Sequence, residues 1–172
     1  DTGGAAVRIP RQGKLFTIRN ANFIANTAAS DSGRVLGGAL SVSGTVDGLI
    51  TNPVFIGNGA RGRSADSAFG GAVYTEKPLT FSIDGKQNAV FSGNKANGRL
   101  NDIHNLGALN VSGNLTLDGG ISGNGTTTFA RGAQLTVKTE TTTISNRVVN
   151  NGATLNLIFD NGFSGRYELI TD

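Results

Sequence analysis

The sequence predicts an all-β fold, a right-handed parallel β-helix of about six coils, and three observations lead to this prediction. The chain of 172 residues contains 26 Gly and only 3 Pro. Its apolar residues alternate over short runs bounded by Gly, Asn or Asp, which is typical of half-buried strands. A pair of short motifs also recurs at near-constant spacing, as expected of a repeat architecture.

The first half of the chain carries three copies of a unit that begins with Gly-Gly-Ala and ends with Phe-x-x-Asn. The copies cover residues 3–26, 37–58 and 70–94 and are 24, 22 and 25 residues long. Eleven residues after the third copy, Leu106-Gly107-Ala108-Leu109 is interpreted as a degraded fourth copy of the opening motif. A unit of this length suits one coil of three short strands and is too short for a propeller blade.

The second half keeps a period but has no long insertions. Gly107-Ala108-Leu109 is echoed by Gly132-Ala133-Gln134-Leu135 and by Gly152-Ala153-Thr154-Leu155, at steps of 25 and 20 residues. We therefore expect three coils with side loops over residues 1–105 and about three plain coils over residues 106–172, in one continuous domain.

The motif residues are expected to build the scaffold. In stacked coils the phenylalanines form an inward aromatic column. The asparagines occupy the turn that follows, where Asn tolerates a left-handed backbone and its amide can bond the turn or the next Asn. The paired glycines permit a sharp bend with close backbone approach. The residues with these structural roles are Phe23, Asn26, Gly37, Gly38, Phe55, Asn58, Gly70, Gly71, Phe91 and Asn94.

Three insertions, residues 27–36, 59–69 and 95–105, leave the predicted coils at the same corner and should stack into one ridge. Each contains at least one basic residue, and function is expected on such segments more than on the scaffold. The candidate binding residues are Arg34, Arg61, Arg63, Lys95 and Arg99. The alternative is that the insertions are spacers tolerated by an exported rod.

Composition argues against several chemistries. The absence of Cys excludes disulfides, thiol catalysis and thiolate metal sites. The net charge of +3 comes from cations spread along the chain, so no patch for nucleic acid is predicted. No segment resembles a signal peptide or a transmembrane helix, and Asp1 and Asp172 look like processing boundaries.

No catalytic site, cofactor or metal is predicted. Sugar hydrolysis needs paired carboxylates in one groove, and the 12 acidic residues are scattered. Asp31, Asp66 and Asp102, one in each insertion, are the one weak calcium candidate, and capping of turns is the favoured role. His104 is the only histidine, has no evident partners for a catalytic triad, and is expected in a polar loop.

The alternation of Phe-x-x-Asn with Gly-Gly-Ala-[Ile/Leu/Val] resembles the repeat of the chlamydial polymorphic membrane proteins and related autotransporter passengers. Segments 101–105, 115–117 and 126–129 look like the plain coils of other passengers. The resemblance implies an exported β-helix that a C-terminal barrel carries through the outer membrane. It also implies a place on the surface of a Gram-negative bacterium, or secretion, and often an adhesive role. Unlike most chlamydial members, this chain has no Cys.

The favoured function is that of a non-enzymatic extracellular segment of such a passenger, acting as an adhesin or as a stalk that displays adhesive loops. The expected partner is a host-cell surface protein or glycan, and self-association through the solenoid ends or the loops is a second expected contact. The only membrane contact would be through a C-terminal barrel outside this sequence. The alternatives are a fragment of a polysaccharide-active β-helix enzyme and a purely structural solenoid.

Overall fold

The computed structural model describes residues 1–10, 15–44, 47–138 and 140–159. These residues form 23 short β-strands and one 3₁₀ turn, Ala65–Ser67, without an α-helix. The all-β prediction is therefore confirmed. The described part of the chain contains no helix with the length and hydropathy needed to cross a membrane. Residues 160–172, at the end of the predicted plain coils, lie outside the described residues.

All strands are two to five residues long, because Gly, Asn and Asp interrupt the apolar alternation at short intervals. The strands up to residue 100 are β1 (Val7–Ile9), β2 (Phe16–Arg19), β3 (Asn22–Ile24), β4 (Thr27–Ser30), β5 (Val35–Leu36), β6 (Leu40–Val42), β7 (Gly48–Thr51), β8 (Val54–Ile56), β9 (Gly59–Gly62), β10 (Ala68–Phe69), β11 (Val73–Thr75), β12 (Leu79–Ser82), β13 (Asn88–Ser92), β14 (Lys95–Ala96) and β15 (Arg99–Leu100). The later strands are β16 (Ile103–Asn105), β17 (Ala108–Ser112), β18 (Asn114–Leu117), β19 (Ile121–Ser122), β20 (Thr126–Phe129), β21 (Gln134–Lys138), β22 (Arg147–Asn150) and β23 (Thr154–Ile158).

Three parallel sheets run through the described chain. Sheet 1 has the order β1-β6-β11-β16-β19, sheet 2 the order β2-β7-β12-β17-β20-β22, and sheet 3 the order β3-β8-β13-β18-β21-β23. We call one consecutive set of strands from sheets 1, 2 and 3 a tier. Each tier pairs in parallel with the next, and a single bridge between Ile121 and Ile144 represents sheet 1 in the last tier. Parallel sheets of stacked strands are compatible with a β-helix.

The register aligns like residues in columns that face the core between the sheets. Phe23 pairs with Phe55, and Phe55 with Phe91. Their ring centroids are 4.6 Å and 4.7 Å apart, in stacked arrangements. In the later tiers the same column continues with the aliphatic side chains of Leu117, Val137 and Leu157. The change from aromatic to aliphatic residues coincides with the change from long to short tiers.

The three insertions form two small sheets outside the tiers. The outer side sheet has the order β15-β14-β9-β4 and the inner side sheet pairs β5 with β10. Ala28, Val35, Ala60 and Ala68 form a second, small core between them. We call residues 27–36, 59–69 and 95–100 the ridge. The third insertion is shorter than the predicted 95–105, because Ile103–Asn105 is a strand of sheet 1.

The paired glycines next to the ridge have two different roles. Gly37 and Gly70 have φ of +76° and +67°, a conformation that other residues adopt only at a cost. A Cβ on Gly71 would lie 2.2 Å from the backbone nitrogen of Lys95, and one on Gly38 would lie 2.6 Å from the carbonyl oxygen of Gly59. The first glycine makes the bend, and the second lets the ridge lie against sheet 1.

The expectation of a left-handed backbone at the motif asparagines is wrong. The positive φ belongs to the residue before each asparagine, with 55° at Ala25, 64° at Gly57 and 65° at Gly93. The bend therefore precedes the asparagine, whose side chain is left to bond the neighbouring tier.

The predicted fourth copy of the opening motif is also wrong. Val73 pairs with Ile103, so Asn101 and Asp102 stand at the positions of Gly71 and Ala72.

The Gly-Ala segments of the plain tiers lie on different sheets: Leu109 is in sheet 2, whereas the pair Leu135–Leu155 is in sheet 3. Leu115 precedes that pair in its column, which makes both steps 20 residues. The alternation alone does not distinguish the three sheets, because each has the same period of two.

Candidate functional site

The outer side sheet has a small inward face and a basic outward face. Ala28 and Ala60 are buried, while Arg61 and Lys95 at alternate positions are exposed. Lys95 pairs with Gly59, one register position away from Ala60. Arg61 and Lys95 therefore line one shallow depression of about 110 Å³.

The other three basic candidates lie elsewhere. Arg34 forms an exposed ion pair with Asp1, with Nε 3.2 Å and Nη2 3.0 Å from the two carboxylate oxygens. Arg63 is exposed in the segment between β9 and the 3₁₀ turn. Arg99 lies on the opposite side of the ridge, toward sheet 1. The structure thus brings together two of the five predicted binding residues.

A cleft of about 380 Å³ opens where the ridge ends, beside strands β16 and β19 of sheet 1. It exists because the inner side sheet ends at β10. The segment that could continue this sheet, β15, folds back on β14 as an antiparallel hairpin, and β10 pairs only with β5 among the described strands. The polar and aromatic residues along the cleft are Asp66, Phe69, Arg99, Asn101, His104 and Ser122.

His104 forms part of the wall of this cleft. It lies on β16, so the expectation of a loop position is wrong. Its ring is parallel to that of Tyr74, at 5.6 Å between centroids, and lies 4.9 Å from that of Phe69. Burial lowers the pKa of His104 to about 4, because a charged ring would lose its hydration. The imidazole is therefore neutral at pH 7.

A chain of hydrogen bonds orients the His104 ring. The backbone N–H of Gly70 donates to Asn101 Oδ1 at 3.1 Å, and Asn101 Nδ2 donates to Ser122 Oγ at 2.9 Å. Ser122 Oγ is also 2.9 Å from His104 Nδ1. A serine oxygen has two acceptor sites, so the Ser122 hydroxyl can accept from Nδ1–H or donate its own hydrogen to Nδ1, according to the tautomer of the ring. Nε2, which donates in one tautomer and accepts in the other, has no hydrogen-bond partner among the described residues.

Asn97 fixes the far wall of the cleft. Its Oδ1 accepts from the backbone N–H of Gly62 at 2.7 Å, and its Nδ2 donates to the carbonyl oxygens of Ser64 and Ala65. These bonds tie the third insertion to the 3₁₀ turn that carries Asp66. The position of the Asp66 backbone is therefore set by the third insertion as well as by its own.

An asparagine ladder runs along the corner where the ridge leaves sheet 3. Asn26 donates from N and Nδ2 to Asn58 Oδ1, both at 3.0 Å. Asn58 repeats this with Asn94 Oδ1, at 3.0 Å from N and 2.9 Å from Nδ2. Asn94 Nδ2 donates to Asp102 Oδ1 at 2.8 Å. The ladder connects the three tiers that carry insertions and ends on a carboxylate.

Asp102 is completely buried and caps the turn of the next tier. Its Oδ2 accepts the backbone N–H groups of Asp118, Gly119 and Gly120, at 3.1, 2.7 and 3.2 Å. Burial raises the pKa of Asp102 to about 6, although the bonds from Asn94 and the three amides act to lower it.

These contacts do not favour the calcium interpretation of the three insertion aspartates. Asp31 and Asp66 are exposed, while Asp102 has no accessible surface. The part of the chain that the structure describes contains no group of three or more His, Asp or Glu residues that could hold a metal ion. Asp102 instead has the turn-capping role that the sequence favoured.

Comparison of the chain with protein-family models, curated proteins and solved structures finds no significant match. The ridge and the cleft are therefore interpreted from their own geometry.

Sequence reasoning missed the cleft, because its residues come from separate segments without a shared motif. Phe69 ends the second insertion, Arg99 belongs to the third, Asn101 follows the third, and Ser122 lies in a plain tier. One signal was present in the sequence. Asn101-Asp102 replaces a Gly-Ala pair at the end of the third insertion, and this departure marks the tier where the inner side sheet stops.

Proposed function

We propose that this chain is a section of a right-handed parallel β-helix from the exported passenger of a bacterial autotransporter, and that its ridge is an adhesive surface. The chain would lie on the surface of a Gram-negative bacterium or be secreted from it. In this proposal it acts by binding or display and not as an enzyme.

Two features support the β-helix part of the proposal. Every pairing between tiers in sheets 1, 2 and 3 is parallel, and consecutive strands of one tier lie in different sheets. Connections between parallel strands of one sheet are right-handed in about 98% of cases, which favours a right-handed coil. The resemblance to passenger repeats supports export.

The observation that carries the adhesive role is the outer side sheet. In the first plain tier, a short turn from Leu117 to Ile121 is enough to connect sheet 3 with sheet 1. In the looped tiers the same connection is an ordered sheet with its own small core and with Arg61 and Lys95 on its exposed face. Side chains on an ordered platform lose less conformational freedom on binding than those on a flexible loop.

The test is a double charge reversal on this face. We expect Arg61→Glu with Lys95→Glu to reduce attachment of the purified chain to host cells by about tenfold or more, because repulsion replaces complementary contacts. The matched control is Arg131→Glu with Arg147→Glu, which makes the same change in net charge at exposed positions of the plain tiers. Circular dichroism should show both variants folded, since all four side chains are exposed.

Three outcomes would overturn the proposal. Unchanged attachment of the Arg61/Lys95 variant would show that this face of the ridge does not contact the host cell. An equal loss in the Arg131/Arg147 control would indicate attraction by net charge alone. A native chain that binds no host cell would favour a purely structural solenoid.

A further inference from the structure

We propose that the cleft between the ridge and sheet 1 binds one neutral sugar unit of a glycan. This deepens the proposed function, on which it rests for the source of the glycan, by assigning a ligand class to a site apart from the basic outer face. The cleft volume of about 380 Å³ lies within the range of roughly 300–1,000 Å³ that is usual for small-molecule sites.

The charges along the cleft favour a neutral ligand with hydroxyl groups. Arg99 and Asp66 carry opposite charges, both are exposed, and neither forms an ion pair with another described residue. A guanidinium group only donates hydrogen bonds and a carboxylate only accepts them. Sugar hydroxyl groups do both, so one ring with adjacent hydroxyls can satisfy the two side chains at once.

The other wall adds an apolar surface and a ring nitrogen held in a fixed position. Phe69 and His104 are half-buried, so part of each ring faces the cleft. The C–H face of a pyranose ring packs on such surfaces. The bonds through Asn101 and Ser122 hold the neutral His104 ring in one orientation, so Nε2 can bond a sugar hydroxyl, as donor or as acceptor, without prior rearrangement.

The experiment is titration of the purified, isotope-labelled chain with glucose, galactose, mannose, N-acetylglucosamine and their methyl glycosides, followed by NMR. Glucuronate and N-acetylneuraminate are titrated in the same way as acidic comparisons. We expect at least one of these probes to shift the amide signals of Phe69, Asn101, His104 and Ser122. We also expect Asp66→Asn and Arg99→Gln each to weaken that binding by about tenfold or more, as loss of a bond to a charged group does. The matched controls are Asp31→Asn and Arg34→Gln, which make the same changes at exposed positions of the first insertion, outside the cleft.

The outcomes separate this inference from the proposed function. Absence of shifts with every neutral probe at tens of millimolar, or shifts that ignore Asp66→Asn and Arg99→Gln, would overturn the sugar site. Binding restricted to glucuronate or N-acetylneuraminate would also overturn it, since an acidic ligand would then be the preferred one. If no sugar binds but the Arg61/Lys95 variant loses cell attachment, the sugar site is ruled out and the proposed function stands. If a sugar binds but the Arg61/Lys95 variant attaches normally, the sugar site stands and the basic outer face is ruled out as the adhesive surface.

Discussion

A buried aspartate and a half-buried histidine near the end of the ridge have pKa values displaced in opposite directions. The pKa of Asp102 is raised to about 6 and that of His104 is lowered to about 4, both mainly by burial. The folded state then holds more protons than the unfolded state at Asp102 between about pH 4 and 6. At His104 it holds fewer between about pH 4 and 6.5. Asp102 makes stability fall as pH rises through its window, and His104 makes it rise.

The His104 contribution can be isolated, because the chain has only one histidine. We expect the unfolding free energy of His104→Gln, relative to that of the native chain, to be highest at pH 4 and to fall by about 2 kcal/mol by pH 7. This figure allows for partial solvation of the His104 ring. Urea unfolding of both proteins at pH 4, 5, 6.5 and 7.5 measures this difference. The pH-dependent contribution of the carboxylates cancels, because both proteins carry the same acidic residues. A difference in unfolding free energy that does not vary with pH would contradict the burial of a neutral His104.

At the scale of the strand, the contact between the ridge and sheet 1 depends on the second glycine of each pair. We expect Gly71→Ala to lower the unfolding free energy by about 3 kcal/mol, because its Cβ would meet the backbone of Asn94 and Lys95 at 2.2–2.7 Å. Side-chain movement does not relieve a clash with backbone. Chemical denaturation followed by far-ultraviolet circular dichroism measures the loss.

Gly59→Ala, in the outer side sheet, is the matched control. A Cβ at that position meets only the Thr27 side chain, at 3.4 Å or more, and needs no positive φ. We expect its effect to be within about 1 kcal/mol. Equal effects of the two substitutions would show that the ridge does not pack closely on sheet 1.

The strands that the sequence predicted well are those whose columns repeat large side chains. Phe23, Phe55 and Phe91 recur with the same flanking motif, and stacking of successive tiers follows from that recurrence. The side strands were expected only as loops, because they are short and consist largely of small residues such as Ala28, Ala29, Gly59 and Ala60. Their pairing depends on the tiers beneath them and not on local preference.

The cleft could not be predicted for a different reason. The cleft exists because β15 pairs antiparallel with β14 and does not pair in parallel with β10. Both choices are open to a segment as short as Arg99–Leu100, and tertiary contacts decide between them. The hydrogen bonds of the Asn97 side chain to Gly62 and Ala65 in the preceding insertion are among these contacts.

At the scale of the molecule, each tier pairs only with the tiers before and after it. The stability of such an array is approximately a sum of contributions from each tier and from the interfaces between neighbours. The central strands β12 and β18 alternate buried and half-buried residues, whereas all five residues of β23 are exposed. The free energy of local opening should therefore be highest in the middle tiers and lowest in the tier that contains β23.

Native-state hydrogen exchange measures this gradient directly. We expect the paired amides of β12, β13 and β18 to exchange about 100-fold more slowly than those of β23, a difference of about 3 kcal/mol in opening free energy. Among the ridge strands, β9 should be the most protected, because β4 and β14 flank it on both sides. Exchange of all these amides at one common rate would instead mean that the tiers open together. Stacking between neighbours would then be too strong for the additive description, and the ridge could not loosen without the core.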